Sequence, residues 1–193
     1  MSTAEKLTTL AENIPKVFNT GYRAGMNDFI ANKDIGDYYN DSITYLNMYA
    51  FAGRTSISSI ALPNVIGSNV AVFSYCSNLV RVSLPKYNDI AYHSIFMYCR
   101  KLELVDFGMV TRIESSVFSS CTVLKTIILR NKTVTELYGV SVFSGTPYAS
   151  GGTGGKIYVP SNLIEEYKSA TNWSALYGYG TVEFVALEGS EYE

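Results

Sequence analysis

The residues with the most reactive chemistry in this chain are three cysteines, and their spacing argues against that chemistry. Cys76, Cys99 and Cys121 lie 23 and 22 residues apart. A disulfide framework shows paired cysteines, and this arrangement places one in each interval. Zinc needs about four ligands in CxxC-like spacing, whereas the sequence offers one histidine, His93. A nucleophile needs a base and an orienting group. His93, between Tyr92 and Ser94, has no such partner nearby in sequence and is expected to be solvated in a turn. No HExxH, GxSxG or paired-carboxylate signature occurs. The glycine-rich stretch from Ser144 to Gly155, followed by Lys156, is only superficially a phosphate loop. The consensus needs Gly where Ser150 stands and Ser or Thr where Ile157 stands. The expected catalytic, cofactor-binding and metal sites are therefore none, and the chain is expected not to be an enzyme.

The cysteines instead mark a repeat. Phe73, Cys76, Leu79, Val82, Leu84 and Pro85 recur as Phe96, Cys99, Leu102, Val105, Phe107 and Gly108, then as Phe118, Cys121, Leu124, Ile127 and Leu129. A weaker copy begins at Phe51, with Ile57, Ile60, Leu62 and Pro63, and another opens at Phe143. A period of 20 to 29 residues with leucine-like positions is the signature of a leucine-rich solenoid. Equivalent positions then stack, so the cysteines become a ladder of small, buried, reduced thiols. Each Val-x-Leu unit is expected to be a strand with its apolar residues inward, ended by proline, which has no donor for the ladder. The returning segments, carrying Ile90, Ile95, Ile113, Val117, Val140 and Val142, are expected to be turns or short helices.

In such a coil the inward positions are dictated by packing, and the outward positions are free to read a ligand. Two outward columns follow: Ser59, Arg81, Leu104, Thr126, and Ala61, Ser83, Asp106, Ile128. The candidate partner-binding residues are Arg81, Ser83, Leu104, Asp106 and Thr126 on the sheet, with Tyr75 and Tyr98 beside the cysteine ladder. Tyrosine outnumbers phenylalanine 16 to 9, which suits a surface presenting rings with a polar tip.

The flanks differ from this pattern. Ser2 and Glu5 form a capping box, and Leu7, Leu10, Ile14 and Val17 follow at helical spacing, interrupted by Pro15. Residues 1–34 are expected to be a helical segment that either caps the solenoid or self-associates through residues 1–32. The stretch from Lys33 to Asn47 is irregular, and Tyr38, Tyr39, Tyr45 and Tyr49 cluster around it. Residues 35–156 are expected to form the solenoid of about four to five coils, each of roughly 22–25 residues. Residues 157–193 are its C-terminal cap. In that cap, Lys156 to Pro160 is a strand, Asn162 to Thr171 a helix capped by Ser161, and Thr181 to Leu187 a closing strand. Glu188 to Glu193 is expected to fray. The fold class is thus an α/β repeat, a leucine-rich-repeat solenoid with an N-terminal helical segment and a C-terminal strand and helix cap.

Composition narrows the function classes. Over 193 residues there are 17 acidic and 15 basic residues, a net charge of −2, so no overall field draws in nucleic acid. No apolar run approaches the roughly 18 residues of a membrane span, and the first residues lack the pattern of a secretory leader.

The unit from Phe73 to Pro85 resembles the BspA-like leucine-rich repeat, and Ile157 to Pro160 with Tyr167 to Trp173 resembles the closing module that follows such repeats. Departures occur at Arg54, where cysteine is expected, and at Gly108 and Arg130, where proline is expected. The segment from Lys6 to Val17 is similar to N-terminal segments of repeat proteins encoded by phages of gut bacteria. These resemblances imply a non-enzymatic, exposed virion component, a tail or head appendage contacting a host surface protein or glycan. It would be synthesised in the cytoplasm and become extracellular on lysis. Two further readings stay open: a bacterial cell-surface adhesin module, and a phage-encoded intracellular inhibitor of a host protein.

Overall fold

A computed structural model describes residues 36–193; the helical segment expected over 1–34, and self-association through it, lie outside the described residues. Five strands of three residues rise one per coil: β1 (Asp37–Tyr39), β3 (Ser59–Ala61), β5 (Arg81–Ser83), β7 (Leu104–Asp106) and β9 (Thr126–Ile128). With β11 (Gly155–Val159) and β12 (Val182–Ala186) they form a seven-stranded sheet in the order β1-β3-β5-β7-β9-β11-β12. Every pairing in it is parallel, as successive turns of one solenoid require. Tyr38, Ile60, Val82, Val105, Ile127 and Ile157 share one inward row and are buried.

The stretch from Lys33 to Asn47, read as irregular, contains β1 and the two-residue strand β2 (Tyr45–Leu46). Tyr38 occupies the inward position that Ile or Val holds elsewhere, and its larger ring hides the repeat from a search for aliphatic residues. In the returning segments Ile95 and Val117 lie in turns, as expected, whereas Ile90 and Ile113 lie in strands. These segments contain the two-residue strands β4 (Gly67–Ser68), β6 (Ile90–Ala91), β8 (Arg112–Ile113) and β10 (Glu136–Leu137) on the opposite wall. Of these, β6, β8 and β10 pair in parallel, as do β2 and β4. Only the last return, Val140–Phe143, is a 3-10 helix.

Between the walls runs an aromatic spine. Phe51, Phe73, Phe96, Phe118 and Phe143 stack with ring centroids 5.3–5.5 Å apart, close to the strand spacing of about 4.8 Å that sets the rise of each coil. Tyr38 closes one end of the spine edge-on at 5.3 Å, and Tyr148 and Trp173 close the other at 5.1 and 6.2 Å. The cysteine ladder lies alongside it. Cys76, Cys99 and Cys121 each donate their S–H to the carbonyl of the phenylalanine one coil back, Phe51, Phe73 and Phe96, at 2.9–3.0 Å. A small thiol thus fills the space and satisfies its own buried S–H on a carbonyl that already accepts a backbone amide from the turn, Arg54 on Phe51, Cys76 on Phe73 and Cys99 on Phe96.

Two residues flanking Phe51, Phe73, Phe96 and Phe118 adopt left-handed backbone conformation: Tyr49 and Gly53, Ala71 and Tyr75, Ser94 and Tyr98, Ser116 and Ser120. The geometry turns amide groups toward the next coil: Tyr75, Tyr98 and Ser120 donate N–H to the carbonyls of Met97, Ser119 and Ser144. Gly108, at the position that Pro63 and Pro85 hold after β3 and β5, has φ +52°, and a Cβ there would lie 2.6 Å from the Leu84 carbonyl oxygen. Only glycine accepts both constraints.

Beyond β11 the chain makes a 3-10 turn (Ser161–Leu163) running into α1 (Ile164–Ser169), then α2 (Trp173–Gly178), before returning as β12. The expected helix over Asn162–Thr171 is therefore shorter, and α2 is an element the sequence reading lacked. Ser161 does not cap it through its side chain; its amide instead donates to the Glu188 carboxylate at 2.8 Å. Glu188 to Glu193, expected to fray, is folded into turns against the sheet, with Ser190 N–H donating to the Leu187 carbonyl.

Candidate recognition surfaces

Strand register sets Ser59, Arg81, Leu104 and Thr126 side by side, and Ala61, Ser83, Asp106 and Ile128 beside them. Arg81 is exposed, while Ser83, Leu104 and Thr126 are half-buried. The open part of this face has a floor of small side chains, Ser59, Ala61 and Ser83. It is bordered by Tyr39, 44% exposed, and by Asp37, whose carboxylate accepts hydrogen bonds from the Ser58 and Ser59 hydroxyls. Arg81 makes no ion pair among the described residues.

The second column is not open along its length, which corrects the expectation for Asp106 and Ile128. They are 7% and 2% exposed. At Asp106 the cause is Arg130, which the C-terminal turn holds in place. Arg130 grips Asp106 through two hydrogen bonds, Nε to Oδ1 at 3.2 Å and Nη2 to Oδ2 at 2.9 Å, and donates to the Tyr192 carbonyl at 2.8 Å. The Tyr192 ring meets Tyr158 edge-on at 4.7 Å. Desolvation raises its phenol above the usual range, and the neighbouring Thr126 hydroxyl opposes that shift. Asp106, singled out as a position free to read a partner, is thus engaged by Arg130, and Thr126 by Tyr192.

Tyr75 and Tyr98 lie on the turns beside the cysteines, away from the strands. Their rings stack with centroids 4.9 Å apart at 20°. Tyr75 is 54% exposed, and the Arg100 guanidinium lies 5.8 Å from the Tyr98 ring. The same left-handed position is Gly53, Ser120 and Gly145 in other coils, so two rings stand out from a row of small residues. The seven candidate residues therefore fall on two separate surfaces, five on the sheet and the tyrosine pair on the turns.

Sequence reasoning missed Tyr39, Arg130, Tyr158 and Tyr192 on the sheet face. Tyr39 was findable, because Asp37 to Tyr39 lies 22 residues before Ser59 to Ala61, in register with it. Arg130 and Tyr192 are 62 residues apart and carry no local signal of their contact.

Groups with catalytic potential are placed as follows. His93 Nδ1 lies 2.7 Å from the Ser115 hydroxyl at the surface. Among the described residues, no three His, Cys, Asp or Glu side chains converge as a metal site would require, and no helix is long and apolar enough to cross a membrane. The glycine-rich stretch ends in an open depression at the starts of β11 and β12. Its glycines serve packing: a Cβ on Gly155 would lie 2.5 Å from the Tyr148 ring, whose hydroxyl donates to the Lys156 carbonyl at 2.9 Å. The Lys156 ammonium faces Glu183 at 3.8 Å.

Three comparisons bear on this geometry. No curated protein matches the chain. Among solved structures, the T. pallidum leucine rich repeat protein matches with a TM-score of 0.53 at 23% identity, over 65% of this chain. The match spans 59% of that protein, a likeness of fold. The family profile for the BspA type leucine rich repeat region matches residues 37–149 in six copies. That span begins at β1 and runs through the spine of stacked phenylalanines, and on this ground the chain belongs to the BspA type leucine-rich-repeat family.

Proposed function

We propose that this protein is a recognition scaffold on the exterior of a phage particle, a tail or head appendage contacting a host surface protein or glycan. Leucine-rich repeats serve protein-binding or structural roles, and the finer reading rests on two supports. The observation that carries it is the contrast between a repeated core and surface residues that change from coil to coil. Phe, Cys and Leu recur inside, while Arg81 and the Tyr75–Tyr98 pair break the pattern outside. Exposed aromatic rings and arginine are the side chains that most often anchor an interface. The second support is the likeness of Lys6 to Val17 to phage repeat proteins. In this reading residues 1–32 join copies, so that several weak surfaces act together.

The test has two parts. Antibody detection of the protein in purified particles supports the virion placement, and its absence there returns the reading to a bacterial adhesin or an intracellular inhibitor. The binding surface is tested with the triple variant Arg81→Glu, Tyr75→Ala, Tyr98→Ala. It is expected to bind host cells at least about tenfold more weakly, a loss near 1.4 kcal/mol. Unchanged binding by a folded variant overturns the surface assignment.

A further inference from the structure

The sheet face at Thr126, Ile128, Arg130 and Tyr158 is already holding a ligand-like segment, the chain's own residues 188–193. Its engagement has the parts of a peptide complex. One aromatic ring is seated edge-on against Tyr158 at 4.7 Å. One backbone carbonyl, that of Tyr192, accepts from the Arg130 guanidinium at 2.8 Å. Asp106, in turn, fixes the guanidinium through two hydrogen bonds and accepts from the Gly108 amide at 3.2 Å. Next to Tyr158 in the sheet Ile128 is 2% exposed, an apolar residue at an outward position. The segment itself is compact: Ser190 N–H donates to the Leu187 carbonyl at 3.1 Å, and Gly189 N–H to the Glu193 carboxylate at 2.8 Å. A turn thus presents Tyr192 while its acidic residues remain at the solvent side.

We propose that this face is a peptide-recognition site for a protein segment that presents a tyrosine from a turn, and that residues 188–193 occupy it in the partner's place. Arg130 selects a backbone carbonyl beside the ring, Tyr158 selects the ring, and Thr126 meets its hydroxyl. The arginine is pre-positioned by Asp106, so little ordering remains to be done when a segment arrives. Aromatic and arginine side chains dominate the energetics of protein interfaces. The proposal does not depend on the virion placement, since it concerns only what this face binds.

The probe is a fluorescent peptide of residues 187–193, titrated to millimolar concentration against three full-length proteins: the native chain, Tyr192→Ala, and Tyr192→Ala with Thr126→Arg. The Tyr192→Ala chain is expected to bind the peptide saturably, at least tenfold more tightly than the native chain, whose own ring holds the site. Adding Thr126→Arg removes that binding, and so does replacing the tyrosine of the peptide by alanine. The proposal is overturned if Tyr192→Ala binds no better than the native chain, or if the alanine peptide binds equally well. Thermal denaturation shows that each variant is folded. Should Thr126→Arg unfold the chain, the alanine peptide alone decides. Binding of a host glycan at this face in place of the peptide would also overturn it.

Discussion

Cys99 and Cys121 are completely buried, and each spends its proton on a carbonyl one coil away. Burial, reinforced by Cys76 next to it, holds the Cys99 thiol well above its usual range, and burial pushes Cys121 up to about 12. Two consequences follow. The native thiols are inert, because the thiolate is the reactive form. Stability also depends on alkaline pH, with a sign set by proton binding. Above the ordinary thiol pKa of about 8.5 the unfolded chain loses these protons while the folded chain keeps them, so stability falls as pH rises. The limiting slope is about 1.4 kcal/mol per pH unit for each thiol, and below about pH 8 these groups contribute no slope. Urea midpoints measured at pH 7.5 and 9.5 are expected to drop for the native chain. Cys99→Ala with Cys121→Ala is expected to lessen that drop, and an equal drop would remove the thiols as its cause.

Within a coil, the turns carry most of the conformational constraint. The strands are three residues long, too short to hold register alone. What holds it is the pair of left-handed residues around Phe51, Phe73, Phe96 and Phe118, with amides that bond to the following coil. Gly108 is the most exacting of these turn positions. Gly108→Ala sets a side chain against the Leu84 and Pro85 carbonyls at 2.6 and 2.8 Å in a conformation with φ +52°. The expected cost is at least about 2 kcal/mol, combining a backbone clash with a left-handed penalty. Chemical denaturation measures it, and a loss under about 0.5 kcal/mol would mean that the turn relaxes at little cost.

At the scale of the molecule, stability in a solenoid passes from neighbour to neighbour and depends on closed ends. Trp173 closes the C-terminal end: its indole N–H donates to the Thr135 carbonyl at 2.7 Å, and its ring lies against Phe143 and Tyr167. Trp173→Ala opens a cavity and leaves that carbonyl unpaired, which together cost roughly 3–5 kcal/mol. Local opening is expected to begin at this end. Hydrogen exchange should lose protection at β11 and β9 before β3, and a uniform loss would instead show that the coils unfold as one cooperative unit.

Much of this architecture was legible in the chain because a solenoid is built from local repetition. The 22- and 23-residue intervals between Phe, Cys and Val positions specify which residues stack, since equivalent positions of adjacent coils must meet. The inward rows and the thiol ladder follow from that rule, and the strands β11 and β12 of the cap are read from their own apolar residues. Tyr38 escaped it because an aromatic ring fills an aliphatic slot, and the two-residue strands of the opposite wall escaped it because no periodicity can be read in so short a run. What only the tertiary structure decided was the fate of the outward face. Residue types mark Asp106, Thr126 and Ile128 as free, and they would be in an unending array. The chain that closes the array turns back, however, so that Arg130 meets Tyr192 across 62 residues while it holds Asp106. Contacts at that separation depend on the path of the whole backbone, which no local pattern encodes.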